Sequence, residues 1–195
     1  MSQIELFATA PELPAGFVYQ AEFISAAEEQ ALIASFERID FAEIKMHGVI
    51  AKRRAAHFGH GYEYGTAKLK PARAIPEFLL PLRERVARLA GREATEFAEA
   101  LVTEYPAGAG IGWHRDAPPF DIVVGVSLAS ECTMQFRPWP VQKPAGARRR
   151  PLAQLLEPRS VYILRGPSRT DWEHHIPIAR SRRFSITFRT LRSAT

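Results

Sequence analysis

The stretch LVTEYPAGAGIGWHRD, residues 101–116, decides the fold class of this chain. It consists of two runs of strand length around a Pro/Gly-rich turn at residues 106–110, and similar runs continue to residue 190. Many short strands separated by turn signals are typical of a double-sheet jelly roll. The predicted strands lie at residues 101–105, 111–115, 122–128, 134–137, 154–156, 161–164, 172–176 and 184–190.

The residues before this region predict two helices. The capping box Ser25-Ala26-Ala27-Glu28 begins the first helix. Pro76 begins the second, and Gly91 ends it. We therefore expect a mainly β fold with flanking helices, in which residues 1–98 pack on a core of residues 99–192 to form one compact unit.

Three polar side chains in the predicted strands have the spacing of a metal site. His114 and Asp116 are two residues apart in the segment WHRD, and His174 follows at a distance in WEHHIP. Because residues i and i+2 of a strand share a face, His114 and Asp116 are expected to point the same way. A His-x-Asp pair with one further His is the ligand set of a facial triad, which holds Fe(II) and leaves positions open for co-substrate and oxygen. The sequence therefore predicts a catalytic metal site formed by His114, Asp116 and a histidine of WEHHIP.

The strand RFSITFR, residues 183–189, indicates the kind of co-substrate. Its alternation places Arg183, Ser185, Thr187 and Arg189 on one face and three apolar side chains on the other. The two arginines lie about 20 Å apart along the strand, at roughly 3.3 Å per residue, and their long side chains can leave a gap for a five-carbon diacid. Because guanidinium clamps a carboxylate in its plane, we expect a dicarboxylate co-substrate.

Composition and charge limit the class of protein. The chain has 195 residues, 46% of them hydrophobic and 24% charged, which suits a single globular domain. Its net charge of +5, with basic clusters at residues 45–57 and 148–150, is compatible with a polyanionic partner. The first residues lack the pattern of a signal peptide, no apolar run reaches the about 18 residues of a membrane span, and the single Cys132 fits a reducing compartment. We therefore expect a cytoplasmic protein, a monomer, with no membrane association.

The chain resembles the AlkB family of Fe(II)- and 2-oxoglutarate-dependent dioxygenases from about residue 15 to residue 192. Residues 101–116 are similar to the family's strand-turn-strand entry to the metal site, and WEHHIP is similar to its second-histidine segment. RFSITFR is similar to its closing Arg-x-Asn-x-Thr-x-Arg strand. The resemblance implies a jelly roll with an N-terminal nucleotide-recognition lid, here residues 45–65. It also implies Fe(II) as cofactor, with 2-oxoglutarate and O2 as co-substrates.

The resemblance implies roles for individual residues as well. His114, Asp116 and His174 would bind iron, whereas His175 would lie on the opposite strand face. The co-substrate would be held by five side chains: Arg183 at its distal carboxylate, Arg189 near the carboxylate that chelates iron, Tyr105 through a hydrogen bond, and Ser185 and Thr103 where the family has asparagines.

The resemblance further implies oxidative demethylation of N-alkylated bases in DNA or RNA, with release of formaldehyde, succinate and CO2. Arg53 and Arg54 would hold phosphates. Tyr62 and Tyr64 would stack on a base that has been flipped out of its strand.

The run Asp116-Ala117-Pro118 departs from the family pattern. In repair members an acidic residue often follows the metal aspartate by two positions and reads the damaged base. Pro118 therefore favours one alternative, the same oxygenase chemistry on a protein or a small molecule. A second alternative is a nucleic-acid-binding module without turnover, although such a module would need neither the triad nor the two arginines.

Overall fold

Two antiparallel sheets of unequal size form the body of the protein. The structure is a computed structural model that describes residues 12–46, 49–63, 68–140 and 150–192. Its strands are β1 (Phe17–Gln20), β2 (Ala42–Met46), β3 (Val49–Phe58), β4 (His60–Glu63), β5 (Lys68–Pro71), β6 (Phe97–Tyr105), β7 (Ile111–His114), β8 (Phe120–Leu128), β9 (Cys132–Pro138), β10 (Leu152–Leu156), β11 (Val161–Leu164), β12 (Trp172–Ile176) and β13 (Arg183–Leu191).

The strand order places the C-terminal strand in the middle of the larger sheet. This sheet has seven strands in the order β1-β11-β8-β13-β6-β3-β2, and the smaller sheet has four in the order β10-β9-β12-β7. A separate two-stranded sheet pairs β4 with β5. The central strand β13 is hydrogen-bonded to β6 on one side and to β8 on the other, so its inward-facing side chains are at the centre of the larger sheet.

Helices cover the outer face of the larger sheet. Helix α1 (Ala26–Phe36) begins with the predicted capping box, in which the Ser25 hydroxyl accepts from the backbone N–H of Glu28 and the Glu28 carboxylate accepts from that of Ser25. Helix α2 (Leu80–Ala90) ends at Gly91, whose φ of 67° is left-handed. A one-turn helix, α3 (Pro167–Thr170), precedes β12.

Two hydrophobic clusters separate these layers. The first lies between the helices and the larger sheet, and it contains Phe36, Val86, Phe184, Ile186 and Phe188 among its buried side chains. The second lies between the two sheets, and its buried members are Val123, Cys132, Met134, Phe136, Leu156, Tyr162, Leu164 and Ile176. The apolar face predicted for residues 183–189 therefore packs against the helices, and the polar face points between the sheets.

The predicted mainly β jelly roll with flanking helices is confirmed, with differences in the N-terminal half. Strand β3 has ten residues and is hydrogen-bonded to β6, so part of the segment 45–65 belongs to the larger sheet. Strand β6 begins at Phe97, four residues before the predicted start, and α3 was not predicted. Among the described residues, no helix is both long enough and apolar enough to cross a bilayer.

Candidate active site

A cavity of about 480 Å³ opens between the two sheets. The larger sheet lines it with residues of β2, β3, β6, β8, β11 and β13, and the smaller sheet lines it with residues of β7, β9 and β12. Strand β4 contributes Tyr62 and Glu63. The cavity contains all three predicted metal ligands and most of the predicted co-substrate residues. Those of the predicted set that line it are His114, Asp116, His174, Thr103, Tyr105, Ser185, Arg189, Arg53 and Tyr62.

The three predicted metal ligands lie next to one another. His114 ends β7 and is the register partner of His174 on β12, and the centres of the two imidazole rings are 4.2 Å apart. His174 Nε2 is 3.7 Å from Asp116 Oδ2, an oxygen without a hydrogen-bond partner among the described residues. His114 Nδ1 lies 2.8 Å from the carbonyl oxygen of Gly112, which directs Nε2 of that ring to the other side. No group of three His, Cys, Asp or Glu side chains among the described residues already surrounds a common metal position, so the ligand assignment rests on these pairwise contacts.

The protonation states of these side chains suit a divalent metal. Burial lowers the pKa of His174 to about 3, and burial also lowers the pKa of His114. Burial alone would raise the pKa of Asp116, but the guanidinium groups of Arg189 and Arg169 hold it well below its ordinary range. Two neutral imidazoles and one carboxylate are the forms in which these groups bind a metal.

Arg189 holds the metal-side carboxylate in place. Its Nε and Nη2 atoms donate to Asp116 Oδ1 at 3.1 and 2.9 Å, which leaves Oδ2 directed toward His174. Its Nη1 donates at 2.7 Å to Glu99 Oε2, on the neighbouring strand β6. Burial alone would raise the pKa of Glu99, but Arg189 and His57 hold it below its ordinary value, so Glu99 is a carboxylate. Arg189 thus lies between two carboxylates and cannot rotate away without losing both.

Arg183 has the surroundings of a carboxylate-binding residue. Its side chain is fully buried, and its guanidinium carbon lies 4.7 Å from the centre of the Tyr105 ring. Nη2 donates to Ser127 Oγ at 3.1 Å, whereas Nε and Nη1 have no hydrogen-bond partner among the described residues. Two unpaired donors on a buried cation cost several kcal/mol unless an anion satisfies them. An anionic carboxylate group would satisfy these donors, although Arg183 itself does not line the cavity.

The two positions at which the chain departs from the family's asparagines face each other. Ser185 on β13 is the register partner of Thr103 on β6, and both line the cavity. The next strand, β8, places Gly125 opposite Thr187, and the ring of Tyr162 on β11 lies over Gly125. A Cβ atom at Gly125 would be 2.2 Å from Cζ of Tyr162, so a glycine is needed there for the tyrosine to reach the cavity.

The predicted substrate residues are separated by the pleat of β3. Arg53 lines the cavity and donates to the carbonyl oxygen of Gly110 at 3.3 Å, and Tyr62 lines the same wall. Arg54 points to the opposite face, where it is paired with Glu104 and lies 5.7 Å from the Phe41 ring centre. Tyr64 lies outside the described residues. The structure thus brings Arg53 and Tyr62 to the cavity and directs Arg54 away from it.

The sequence did not point to two residues that line the cavity, Glu99 and Tyr162, or to Arg169, which supports a loop beside it. Glu99 escaped notice because the predicted strand began at Leu101, although it continues the same alternation as Leu101 and Thr103. Tyr162 was within a predicted strand, but no motif distinguished it. Arg169 lies in the unpredicted α3 and donates to the carbonyl oxygens of Ala117 and Phe120, which fixes the loop after Asp116.

The family of the chain follows from comparison with known proteins. The model of the 2OG-Fe(II) oxygenase superfamily matches residues 18–189. The chain belongs to this superfamily. Fe(II), 2-oxoglutarate and O2 are therefore its expected metal and co-substrates, which agrees with the donor set and with the unpaired Arg183 donors.

The relatives of this superfamily member include AlkB homologues. The Alkylated DNA repair protein ALKBH8 homolog of Arabidopsis thaliana is 30% identical over 210 residues, which are 91% of this chain and 59% of that protein. The tRNA (carboxymethyluridine(34)-5-O)-methyltransferase alkbh8 of Xenopus tropicalis is 28% identical over 175 residues, 86% of this chain and 26% of that protein. The chain thus spans 59% and 26% of these two relatives.

Solved structures of the superfamily share the fold. The structure of OsALKBH1 superposes with a TM-score of 0.65 at 16% identity and covers 92% of this chain and 100% of that one. An oxidoreductase of the 2OG-Fe(II) oxygenase family from Burkholderia pseudomallei superposes with a TM-score of 0.63 at 17% identity, covering 91% and 86%. These two structures share the fold, and the family match together with the Arabidopsis thaliana relative confirms the predicted AlkB-like oxygenase.

Proposed function

We propose that the protein is an Fe(II)- and 2-oxoglutarate-dependent oxidative demethylase that acts on N-alkylated bases of DNA or RNA. The observation that carries this proposal is the juxtaposition of two sites in one cavity. The triad His114, Asp116 and His174 lines the same cavity as Arg53 of β3 and Tyr62 of β4. A cavity of about 480 Å³ has room for a single flipped base beside the co-substrate.

The side chains of this chain would bind and orient the reactants. Asp116, His114 and His174 would hold the metal, and Arg183, Tyr105, Ser185 and Thr103 would hold 2-oxoglutarate. When bound, Fe(II) with 2-oxoglutarate and O2 supplies the oxidising power to hydroxylate a C–H bond of an N-methyl group. The hydroxymethylated base then releases formaldehyde, and 2-oxoglutarate leaves as succinate and CO2.

The protein's other contribution is the exclusion of water and the placement of the substrate. Val123, Met134 and Tyr162 line the base of the cavity and provide an apolar surround for the co-substrate. Arg53 would contact a phosphate at the mouth, and Tyr62 would stack on the base that enters. We also propose Tyr64 as a stacking residue and Arg54 as a phosphate contact outside the cavity.

Two relatives support nucleic acid as the substrate class. One is named for alkylated DNA repair and the other for a tRNA modification, so DNA and RNA are both candidate substrates. The net charge of +5 and the basic residues of β3 are consistent with a polyanion.

Pro118 favours a second candidate function. The position two residues after the metal aspartate carries an exposed proline, which cannot read a base through a hydrogen bond. The same oxygenase chemistry would then act on a protein side chain or a small molecule.

A substrate screen tests both functions. Consumption of 2-oxoglutarate and release of formaldehyde are measured with Fe(II), O2 and single-stranded DNA and RNA oligonucleotides that carry one N-methylated base. Unmodified oligonucleotides serve as controls, as does the Asp116→Ala variant. Formaldehyde release that requires the methylated base supports the demethylase. Turnover of 2-oxoglutarate that no oligonucleotide stimulates contradicts it and supports the second candidate.

A further inference from the structure

His57 lies on the part of the cavity wall that β3 forms. The alternation of β3 directs Arg53, Ala55 and His57 into the cavity, and the side chain of His57 is 41% exposed there. In register, His57 pairs with Leu101 on β6, which pairs with Thr187 on β13. His57 therefore stands two strand spacings, about 10 Å, from the central strand that carries Arg189.

The orientation of the His57 ring is fixed from two sides. Nδ1 lies 2.8 Å from Glu99 Oε1, and Glu99 is itself fully buried. The backbone of β4 packs on the ring, since a Cβ atom at Gly61 would lie 3.4 Å from His57 Nδ1. A side chain that is partly exposed yet held by a buried carboxylate and a glycine is pre-organised to meet a ligand.

The tautomer follows from the carboxylate. Because Glu99 is ionised and can only accept, His57 Nδ1 must carry the proton and donate it. In the neutral ring Nε2 is then a hydrogen-bond acceptor, and the Glu99 carboxylate makes it a stronger one. It lies on the ring edge away from Glu99, on a residue that lines the cavity.

Glu99 is connected to the metal end as well. Its other oxygen accepts from Arg189, which also donates to the carboxylate of Asp116. A continuous row of hydrogen bonds thus joins His57, Glu99, Arg189 and Asp116 across the floor of the cavity. The geometry sets the position of His57 relative to the metal ligands.

We propose that His57 is a specificity-determining residue that reads the edge of the substrate base. This inference rests on the proposed demethylase function and names the feature of the substrate that the cavity selects. Pro118 removes the acceptor expected after Asp116, and His57 Nε2 supplies an acceptor from the β3 wall of the same cavity. An acceptor recognises bases with an exocyclic amino group next to the methylated nitrogen, as in 1-methyladenine and 3-methylcytosine. Bases with carbonyl groups on both sides, such as 3-methyluracil, cannot donate to it.

The test compares substrates within each variant. For wild type, His57→Ala, His57→Gln and His60→Ala, kcat/KM is measured on oligonucleotides of one sequence that carry 1-methyladenine or 3-methyluracil. We expect the ratio of the two values to fall at least about tenfold in His57→Ala, because one hydrogen bond that discriminates between substrates is lost. His57→Gln keeps an acceptor and should restore most of the ratio.

His60→Ala is the matched control. His60 contacts the backbone of the same neighbouring strand, with Nδ1 3.2 Å from the Ala98 carbonyl oxygen, but it does not line the cavity. In His60→Ala, the ratio of kcat/KM on 1-methyladenine to kcat/KM on 3-methyluracil should equal that of wild type. Binding of Fe(II) and 2-oxoglutarate, followed by visible absorption, shows whether each variant is folded. If His57→Ala unfolds, His57→Leu replaces it, since leucine fills the space beside Gly61 and lacks the acceptor.

The outcomes separate the two proposals. A wild-type protein that turns over methylated oligonucleotides, with a ratio that His57→Ala leaves unchanged, overturns the role of His57 and leaves the demethylase intact. An equal fall of the ratio in His60→Ala overturns it as well. A wild-type protein inactive on every methylated oligonucleotide overturns both.

Discussion

The two carboxylate oxygens of Asp116 have different surroundings. Oδ1 accepts both N–H groups from Arg189, and Oδ2 stays without a hydrogen-bond partner among the described residues while it faces His174. A carboxylate held through one oxygen presents the other in a fixed direction, which is the arrangement expected of a metal ligand with a supporting residue. The choice of ligands is therefore open to direct test.

The neighbouring histidines 174 and 175 should behave differently. His174 is buried beside Asp116, whereas His175 lies on the outer strand face near Gln135 and Trp113. We expect His174→Ala and Asp116→Ala to abolish Fe(II)-dependent turnover of 2-oxoglutarate, because each removes a ligand. His175→Ala should retain it. Iron content after reconstitution checks the same point, and iron loss in His175→Ala with iron retained in His174→Ala would show that the ligand is His175.

Arg183 should control the affinity for 2-oxoglutarate. Removal of a buried charged partner of a carboxylate costs about 2–5 kcal/mol, so Arg183→Ala should raise Kd at least about thirtyfold. Arg183→Lys should recover only part of this loss, because ammonium lacks the planar fork. Calorimetric titration of 2-oxoglutarate into metal-loaded protein measures the effect, with the exposed Arg180→Ala as the control. An unchanged Kd in Arg183→Ala would remove this side chain from the co-substrate site.

His174 also predicts how stability depends on pH. Its pKa is lowered by burial to about 3 in the folded protein, against 6.5 ordinarily. Between these values the unfolded chain binds a proton that the folded protein does not, so stability should rise with pH from 3 to 6.5. The slope from one group is at most about 1.4 kcal/mol per pH unit. Urea unfolding of the metal-free protein at several pH values measures it, and His174→Gln should flatten the slope. An equal slope in that variant would assign the acid sensitivity to other groups.

At the scale of elements, the polar face of β13 is the organising feature of the site. Strand β6 places Thr103 opposite Ser185 and Glu99 opposite Arg189. Strand β8 places Gly125 opposite Thr187. Because successive side chains of a strand alternate, the same strand packs its phenylalanines against the helices and directs its arginines between the two sheets. A shift of one residue in its register would exchange these two faces.

Substitution of Gly125 tests whether the Tyr162 ring of β11 must pack directly on the backbone of β8. We expect Gly125→Ala to lower the free energy of unfolding by about 1–3 kcal/mol and to weaken 2-oxoglutarate binding, since the new methyl group displaces the buried Tyr162 ring. Gly112→Ala on β7 is the control, because a Cβ atom there meets nothing within 4 Å. Denaturant unfolding and co-substrate titration provide the measurements. A Gly125→Ala protein as stable and as tightly binding as wild type would show that Tyr162 can move without consequence.

At the scale of the whole molecule, the charge of +5 should make nucleic-acid binding depend on salt. Arg53 and Arg54 separate the contributions of the two faces of β3. Arg53→Ala should weaken binding across sequences and reduce the salt slope by about 1, because a phosphate contact is lost. Arg54→Ala should have a smaller effect, because Arg54 is already paired with Glu104. Fluorescence anisotropy at several salt concentrations measures both slopes, and a larger change in Arg54→Ala would place the nucleic acid on the other face.

Much of the site could be predicted from the sequence because its signals are local. The spacing of His114 and Asp116, the alternation of residues 183–189 and the capping box at Ser25 each lie within a few residues of chain. Strand and helix periodicity therefore determined the fold class, the faces of the strands and the candidate ligands.

The remaining features of the site depend on which strands pair with each other. The spacing of residues within one strand does not indicate its pairing partners. The sequence placed Arg53 and Arg54 together, but the pairing of β3 with β6 turned Arg54 toward Glu104 and His57 toward Glu99. Glu99 is separated from His57 by 42 residues and from Arg189 by 90 residues, and only the adjacent strands bring the three together. The periodicity of side chains within one strand can be recognised in the sequence. The series of hydrogen bonds from His57 to Asp116 forms only because the backbone hydrogen bonds between distant strands set the order and register of the sheet.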